Sequence, residues 1–289
     1  MFYAIMVKIG ERRHVVKTKQ DTPINKLKKI TLIAAVSMLL LVVAVVLLQT
    51  GLPFLELTPK PSDSLRPNPF SPEDFTYQDG YMTCLAGESW LGVDVSHHQG
   101  EIRWEEVANA GIRFAMIRLG HRAVSDGELY LDRYWEENIQ EAQDAGLLVG
   151  VYFYSQAISV EEAQEEASFV LQALDGMKLD FPVVFDWEIY SSNARNANVD
   201  PKTVNACAIA FCEAITSAGY APMVYFNLDL ANRVWDLELL QQQGYPFWLA
   251  LYRDQMNWEY LPDMWQYTES GTVPGIAAPV DLNLYFLCD

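Results

Sequence analysis

The 289 residues predict an α/β fold, a TIM-like barrel preceded by one N-terminal transmembrane helix. Three observations lead there: a long apolar run near the start, eight short apolar runs after about residue 90, and helical stretches between the first five of those runs. Strands alternating with helices imply right-handed parallel units, and eight strands in ~200 residues suit a barrel whose last three connections carry little helix.

Residues 1–29 hold eight Lys/Arg against two acids, a net charge of +6, and read as a cytoplasmic basic tail. The stretch "ITLIAAVSMLLLVVAVVLLQ", residues 30–49, has no charge in 20 residues. At ~1.5 Å per residue a helix of that length crosses ~30 Å of hydrocarbon. Its exit, "LLQTGLPFLEL", lacks a small-residue cleavage pattern, so the run is expected to stay as an anchor. Basic residues on its N-terminal flank place that end in the cytoplasm, making a single-pass cell-membrane protein with its body outside the cytoplasm. Residues 50–88 are rich in proline, with Ser, Asp and Gly between, and read as an extended stalk. Residues 89–289 are the barrel domain.

Within that domain the strand candidates are 91–96, 113–120, 147–155, 182–188, 221–227, 246–252, 263–269 and 280–286. Helices are expected over "RWEEVANAG", "LDRYWEENIQEAQDAG", "SVEEAQEEASFVLQALDG" and "DPKTVNACAIAFCEAITSAG". Ser159, Asp200 and Asp132, or its predecessors, are their plausible N-caps, and a glycine closes each. The run "EEAQEE", 161–166, reads as the solvated face of a helix.

The chain beyond residue 29 carries 12 basic against 36 acidic residues, a charge of −24. Binding to nucleic acid rests on Lys/Arg contacts to phosphate, so no nucleic-acid partner is expected. Cys84 and Cys288 bracket the body, and a closed barrel brings its first and last strands together, so a Cys84–Cys288 disulfide is expected on the oxidising side of the membrane. Cys207 and Cys212 lie on one helix and read as buried thiols. No zinc-ligand spacing is present, and neither metal nor cofactor is expected.

Side chains of a barrel strand alternate between the helices and the interior. In 182–188, Val183, Phe185 and Trp187 then face out, leaving Val184, Asp186 and Glu188 inward. The same parity turns inward Asp94 with Ser96, Met116 with Arg118, Tyr152 with Tyr154, Tyr225 with Asn227, Trp248, and Asp281 with Asn283. The C-terminal mouth of such a barrel carries its chemistry. Burying unpaired carboxylates costs several kcal/mol, so acids arriving there from three strands imply a use.

Paired carboxylates in an aromatic-lined groove suit glycoside hydrolysis, one acid protonating the leaving oxygen and the other stabilising or attacking the sugar centre. Inward residues at i and i+2 have Cα atoms ~6.5 to 7 Å apart, which lets their carboxyls approach the ~5 to 5.5 Å of retaining enzymes. Tyr152, Tyr154, Tyr225 and Trp248 are candidate stacking surfaces for sugar rings, with barrel filling the alternative for each. Arg118 and Asn227 complete the expected substrate-binding set. His97 and His98 follow the first strand, where they either touch substrate or are simply solvated.

"GVDVSHHQGEIRWEEVANAGIRFAMIRLG", "VVFDWE" and "MWQYTESGTVPGIAAPVDLNLYF" together resemble the lysozymes of glycoside hydrolase family 25, over about residues 90–287. The resemblance implies a (β/α)5(β)3 barrel and cleavage of the β-1,4 bond between N-acetylmuramic acid and N-acetylglucosamine in peptidoglycan, with retention. By that resemblance Glu188 is the general acid and Asp186 its companion, acting directly or through the substrate's acetamido group. Asp94 and Asp281 match two further acids at the mouth, and Tyr225 the family's strand-five tyrosine. The chain departs from the family at "YFY", 152–154, where a histidine is frequent. Two other readings stay open: a non-catalytic glycan-binding module on the same fold, and an anchored scaffold recruiting partners through its basic tail.

Overall fold

The computed structural model describes residues 65–287. The expected basic tail, the 30–49 anchor, the start of the stalk and Cys288 lie outside the described residues. No helix among the described residues is long and apolar enough to cross a membrane.

A hairpin comes first, β1 (Phe75–Gln78) and β2 (Tyr81–Cys84). The barrel then runs β3 (Ser89–Val95), α1 (Trp104–Asn109), β4 (Phe114–Arg122), the short β5 (Leu129–Leu131), α2 (Trp135–Asp144), β6 (Leu148–Ser155), α3 (Val160–Leu174) and β7 (Val183–Trp187). It continues through α4 (Pro201–Ser217), β8 (Pro222–Asn227), α5 (Leu228–Arg233), α6 (Leu237–Gln242), β9 (Phe247–Ala250), β10 (Met264–Gly271) and β11 (Val280–Phe286). Helices follow the first five barrel strands and none separates the last three, as expected of a (β/α)5(β)3 barrel.

Six of the eight barrel pairings are parallel, from β3–β4 round to β9–β10. The last strand, β11, runs antiparallel to both neighbours and closes the sheet against β3, with Asp281 opposite Asp94. Strand β5 is an antiparallel edge addition to the outer end of β4.

Alternation of side chains divides the apolar residues into two cores. Val93, Val151, Val183, Phe185 and Phe211 pack between sheet and helices, while Phe114, Met116, Val184, Met223, Tyr225, Trp248 and Met264 fill the barrel. Gly92 occupies an inward position, where a Cβ would lie 2.2 Å from the Phe114 ring, so only glycine leaves room for that ring.

Ser159 and Asp200 cap α3 and α4 through Glu162 N and Thr203 N. Asp132 does not cap α2, whose N-cap residue is Tyr134. The carboxylate of Asp132 turns instead toward His97 and Arg118, where stronger charge-assisted bonds await it. The run 161–166 is not a uniformly solvated face either. Glu166 is fully buried, accepting from Arg122 Nε at 2.7 Å and Ser155 Oγ at 2.6 Å.

Residues 65–88 depart from the extended stalk that their prolines suggest. Pro67 bridges to Tyr260, and Phe75 buries its ring 5.2 Å from that of Trp265. The apolar residues of the hairpin cover apolar outer faces of β10 and β11, so proline here shapes turns against a wall.

Candidate active site

Each barrel strand supplies its side chains to one cavity of about 280 Å3 at the C-terminal ends of the parallel strands. Nine of the ten residues chosen from strand parity line it: Asp94, Arg118, Tyr152, Tyr154, Asp186, Glu188, Tyr225, Trp248 and Asp281. Asn227 does not. Its Oδ1 accepts from Leu230 N at 2.9 Å, capping α5, because a strand that passes directly into a helix leaves amide N–H groups needing a partner.

Glu188 stands one residue beyond β7, outside the ladder. Two buried amides hold its carbonyl oxygen, Gln156 Nε2 and Asn196 Nδ2, each donating at 2.8 Å. Arg195 ties this turn down further, donating to Gln156 O at 2.6 Å and, bidentately, to Glu162 at 2.7 Å. Trp187 faces the helices and donates from Nε1 to Ala157 O at 2.9 Å.

The acids crowd one another. Burial, then the charge of Asp94, raises the Glu188 carboxyl to about 7. Burial is the larger cause, beyond the effect of the acidic neighbours alone. Asp186 is raised well above the usual carboxylate range by burial, then by Glu188 and Asp94. Its Oδ1 is buried and has no hydrogen-bond partner among the described residues. Asp94 is raised to about 6 by burial, moderated by bonds from Asn283, Gln266 and Asp281. Asp281 is raised to about 9 by burial and then by Asp94.

A chain of polar contacts surrounds Asp94. Its Oδ2 accepts from Gln266 Nε2 and Asn283 Nδ2, both at 2.8 Å. Tyr225 and Tyr252 each donate their hydroxyl to Gln266 Oε1, at 3.0 and 3.1 Å. Trp248 donates from Nε1 to Asn283 Oδ1 at 2.8 Å. With 1% of its surface exposed, Trp248 is a wall of the cavity and not an open stacking surface, and Tyr225 at 7% is close to the same state. Tyr152 and Tyr154 are only partly buried and remain accessible.

Arg118 is the one Lys or Arg side chain lining the cavity. Asp132 fixes it, accepting from Nε at 3.0 Å and Nη2 at 2.8 Å. The same carboxylate accepts from His97 N at 2.9 Å, and Nδ1 of His97 contacts both partners. His98 reaches the cavity wall, so the two histidines take different positions.

Gln266 and Tyr252 were legible by extending the parity that selected their neighbours: Gln266 sits between outward Trp265 and Tyr267, and Tyr252 two residues beyond Ala250. Asp132 and Asn196 lie in loops, where no periodicity marks them.

The sequence profile described as "Glycosyl hydrolases family 25" matches residues 93–276. The Escherichia coli K12 protein "Uncharacterized protein YegX" is 31% identical over 212 residues, covering 67% of this chain and 68% of that protein. An "autolytic lysozyme" of Clostridium acetobutylicum is 24% identical over 200 residues, covering 66% of this chain and 54% of the lysozyme. Among solved structures, the modular autolysin LytC of Streptococcus pneumoniae, in complex with a synthetic peptidoglycan ligand, superposes with a TM-score of 0.62 at 23% identity. That likeness covers 73% of this chain and 52% of LytC, so the chain spans about half the length of that autolysin. The chain belongs to glycosyl hydrolases family 25 and is a glycoside hydrolase.

Proposed function

We propose that the protein is a membrane-anchored muramidase, cleaving the β-1,4 bond between N-acetylmuramic acid and N-acetylglucosamine of peptidoglycan with retention, in wall remodelling or lysis. One observation carries this reading: Asp186 and Glu188 leave the same strand into a cavity already holding Asp94 and Asp281. A carboxyl raised to about 7 is protonated often enough near neutral pH to give its proton to a leaving glycosidic oxygen. Glu188 is accordingly the general acid and later the base that activates water.

Asp186 lines the cavity with its Oδ1 unpartnered, which suits it to an acetamido N–H or to positive charge at the anomeric carbon. Tyr152 and Tyr154 supply accessible aromatic faces, and Arg118 the cation that limits repulsion among the acids. Lysozyme and autolysin relatives support peptidoglycan as the substrate. The uncharged run 30–49 and its basic flank support the anchor and the extracytoplasmic side. The bond from Leu287 N to Glu88 O brings the ends of the barrel strands β3 and β11 together, which supports the Cys84–Cys288 disulfide.

Mass spectrometry of muropeptides released from defined peptidoglycan tests the reading. Products with muramic acid at the reducing end are expected, and products reducing at glucosamine, or none, overturn it.

A further inference from the structure

Donor and acceptor roles around Asp94 leave only one consistent assignment. An indole Nε1–H is a donor and nothing else. Trp248 therefore fixes the Asn283 amide with Oδ1 toward the ring, at 2.8 Å, and Nδ2 toward Asp94. The oxygen Oδ2 of Asp94 thus accepts a hydrogen bond and carries no proton. Gln266 meets this same oxygen at 2.8 Å and must also donate, which turns its Oε1 toward the hydroxyls of Tyr225 and Tyr252. Two tyrosine donors fill that oxygen, so nothing favours the flipped amide.

Asp281 sits opposite Asp94 in the β3–β11 ladder, and their carboxyl groups hydrogen-bond each other. Two carboxyls in contact cannot both be ionised, and the proton goes to the partner with fewer donors. Asp94 has two amide donors, whereas the Asp281 carboxyl accepts from its own backbone N–H and from no side-chain amide or cation among the described residues.

We infer that Gln266 and Asn283 are positioning residues that hold Asp94 as the ionised member of the pair and leave the shared proton on Asp281, making Asp281 a neutral hydrogen-bond donor to Asp94. Trp248, Tyr225 and Tyr252 act through those two amides. The arrangement gives Asp94 and Asp281 unlike tasks. Asp94 supplies a fixed negative charge that keeps the proton on Glu188, and Asp281 gives its one O–H to Asp94 and adds no second charge beside it. This rests on reading the mouth as the hydrolytic site.

Other charged and titratable groups surround the pair: Asp186 from β7, Glu188 just beyond it, Tyr152 from β6, Tyr225 from β8, Tyr252 beyond β9 and Glu269 from β10, with Arg118 of β4 lining the same cavity. A direct measurement is therefore site-resolved: carboxyl 13C spectra of the full chain in detergent micelles, labelled at aspartate, followed with pH. The resonance absent from Asp281→Asn should titrate above neutral pH in the wild type, and that absent from Asp94→Asn below it. The reverse order overturns the inference. Gln266→Leu keeps the question open to measurement if either asparagine variant fails to fold: the two wild-type midpoints should approach each other by about one pH unit or more, and unmoved midpoints overturn it. Turnover gives a second readout, in which Asp281→Asn, still a donor, loses about 10-fold or less while Asp94→Asn loses about 100-fold or more. Equal losses count against the assignment. The spectra need no substrate, so a wild type inert on peptidoglycan would remove the muramidase reading while leaving the proton order decided.

Discussion

On the proposed reading Glu188 is the residue on which most of the chemistry turns, and its environment sets both a kinetic and a thermodynamic expectation. Glu188→Gln should fold and lose nearly all peptidoglycan hydrolysis, about 1000-fold or more in kcat, as read by muropeptide release. In the wild type, activity should fall as pH rises through about 7, where the raised carboxyl gives up the proton needed by the leaving group. The effect on stability has the same direction. Unfolded glutamate ionises near ~4.3, so between there and about 7 the folded protein holds the extra proton and stability drops as pH rises. Glu188→Gln removes that dependence, and its melting temperature relative to wild type should be higher at pH 8 than at pH 4. Asp186→Asn is expected to lower turnover strongly while glycan binding persists, checked by calorimetry with a chitooligosaccharide. At this scale the sequence was readable wherever a side chain lay on a strand, because a period of two assigns its face. It was silent on Asn196 and Gln156 and offered Asp132 only as a helix cap, because these residues act from turns and loops through contacts that no spacing reveals.

Strands and helices were the most legible level, since each of the eight strand candidates recurs with its ends moved by a few residues or fewer. Where reading failed, a local signal had a competing use. Prolines before residue 89 suggested an extended stalk, yet Phe75 and Met82 of the hairpin found apolar surface on the barrel. Phe75→Ala should cost about 3 to 5 kcal/mol, as measured by denaturant unfolding, because its buried ring packs on Trp265 and Phe286. Asn227 looked inward by parity and was taken by α5 as a cap. Glutamates on α3 looked solvated, but Glu162 and Glu166 anchor Arg195 and Arg122 at the turns beside the mouth. Arg195→Ala should therefore lower kcat about 10-fold with little change in KM, since the loop bearing Glu188 loses its tie while the aromatic walls stay in place.

Across the whole molecule charge and topology dominate. On the proposed reading, in which a body of −24 meets an anionic wall, kcat/KM should rise between ~0.01 and ~0.15 M salt as the repulsion is screened. The reverse trend in a turbidity assay would show that local cations outweigh the net field. The direction of β11 bears on timing. Asn283 and Asp94 are 189 positions apart, yet they share the hydrogen bond that organises the mouth. Their meeting must wait for nearly the whole barrel to be synthesised, because closing so long a loop comes after the nearer strands have paired. A nascent chain halted before residue 280 has Glu188 but neither Asp281 nor Asn283, one of the two amides that hold Asp94. Such a chain would be inert, so on the proposed reading the hydrolase is armed only once the strand that closes its barrel has been made.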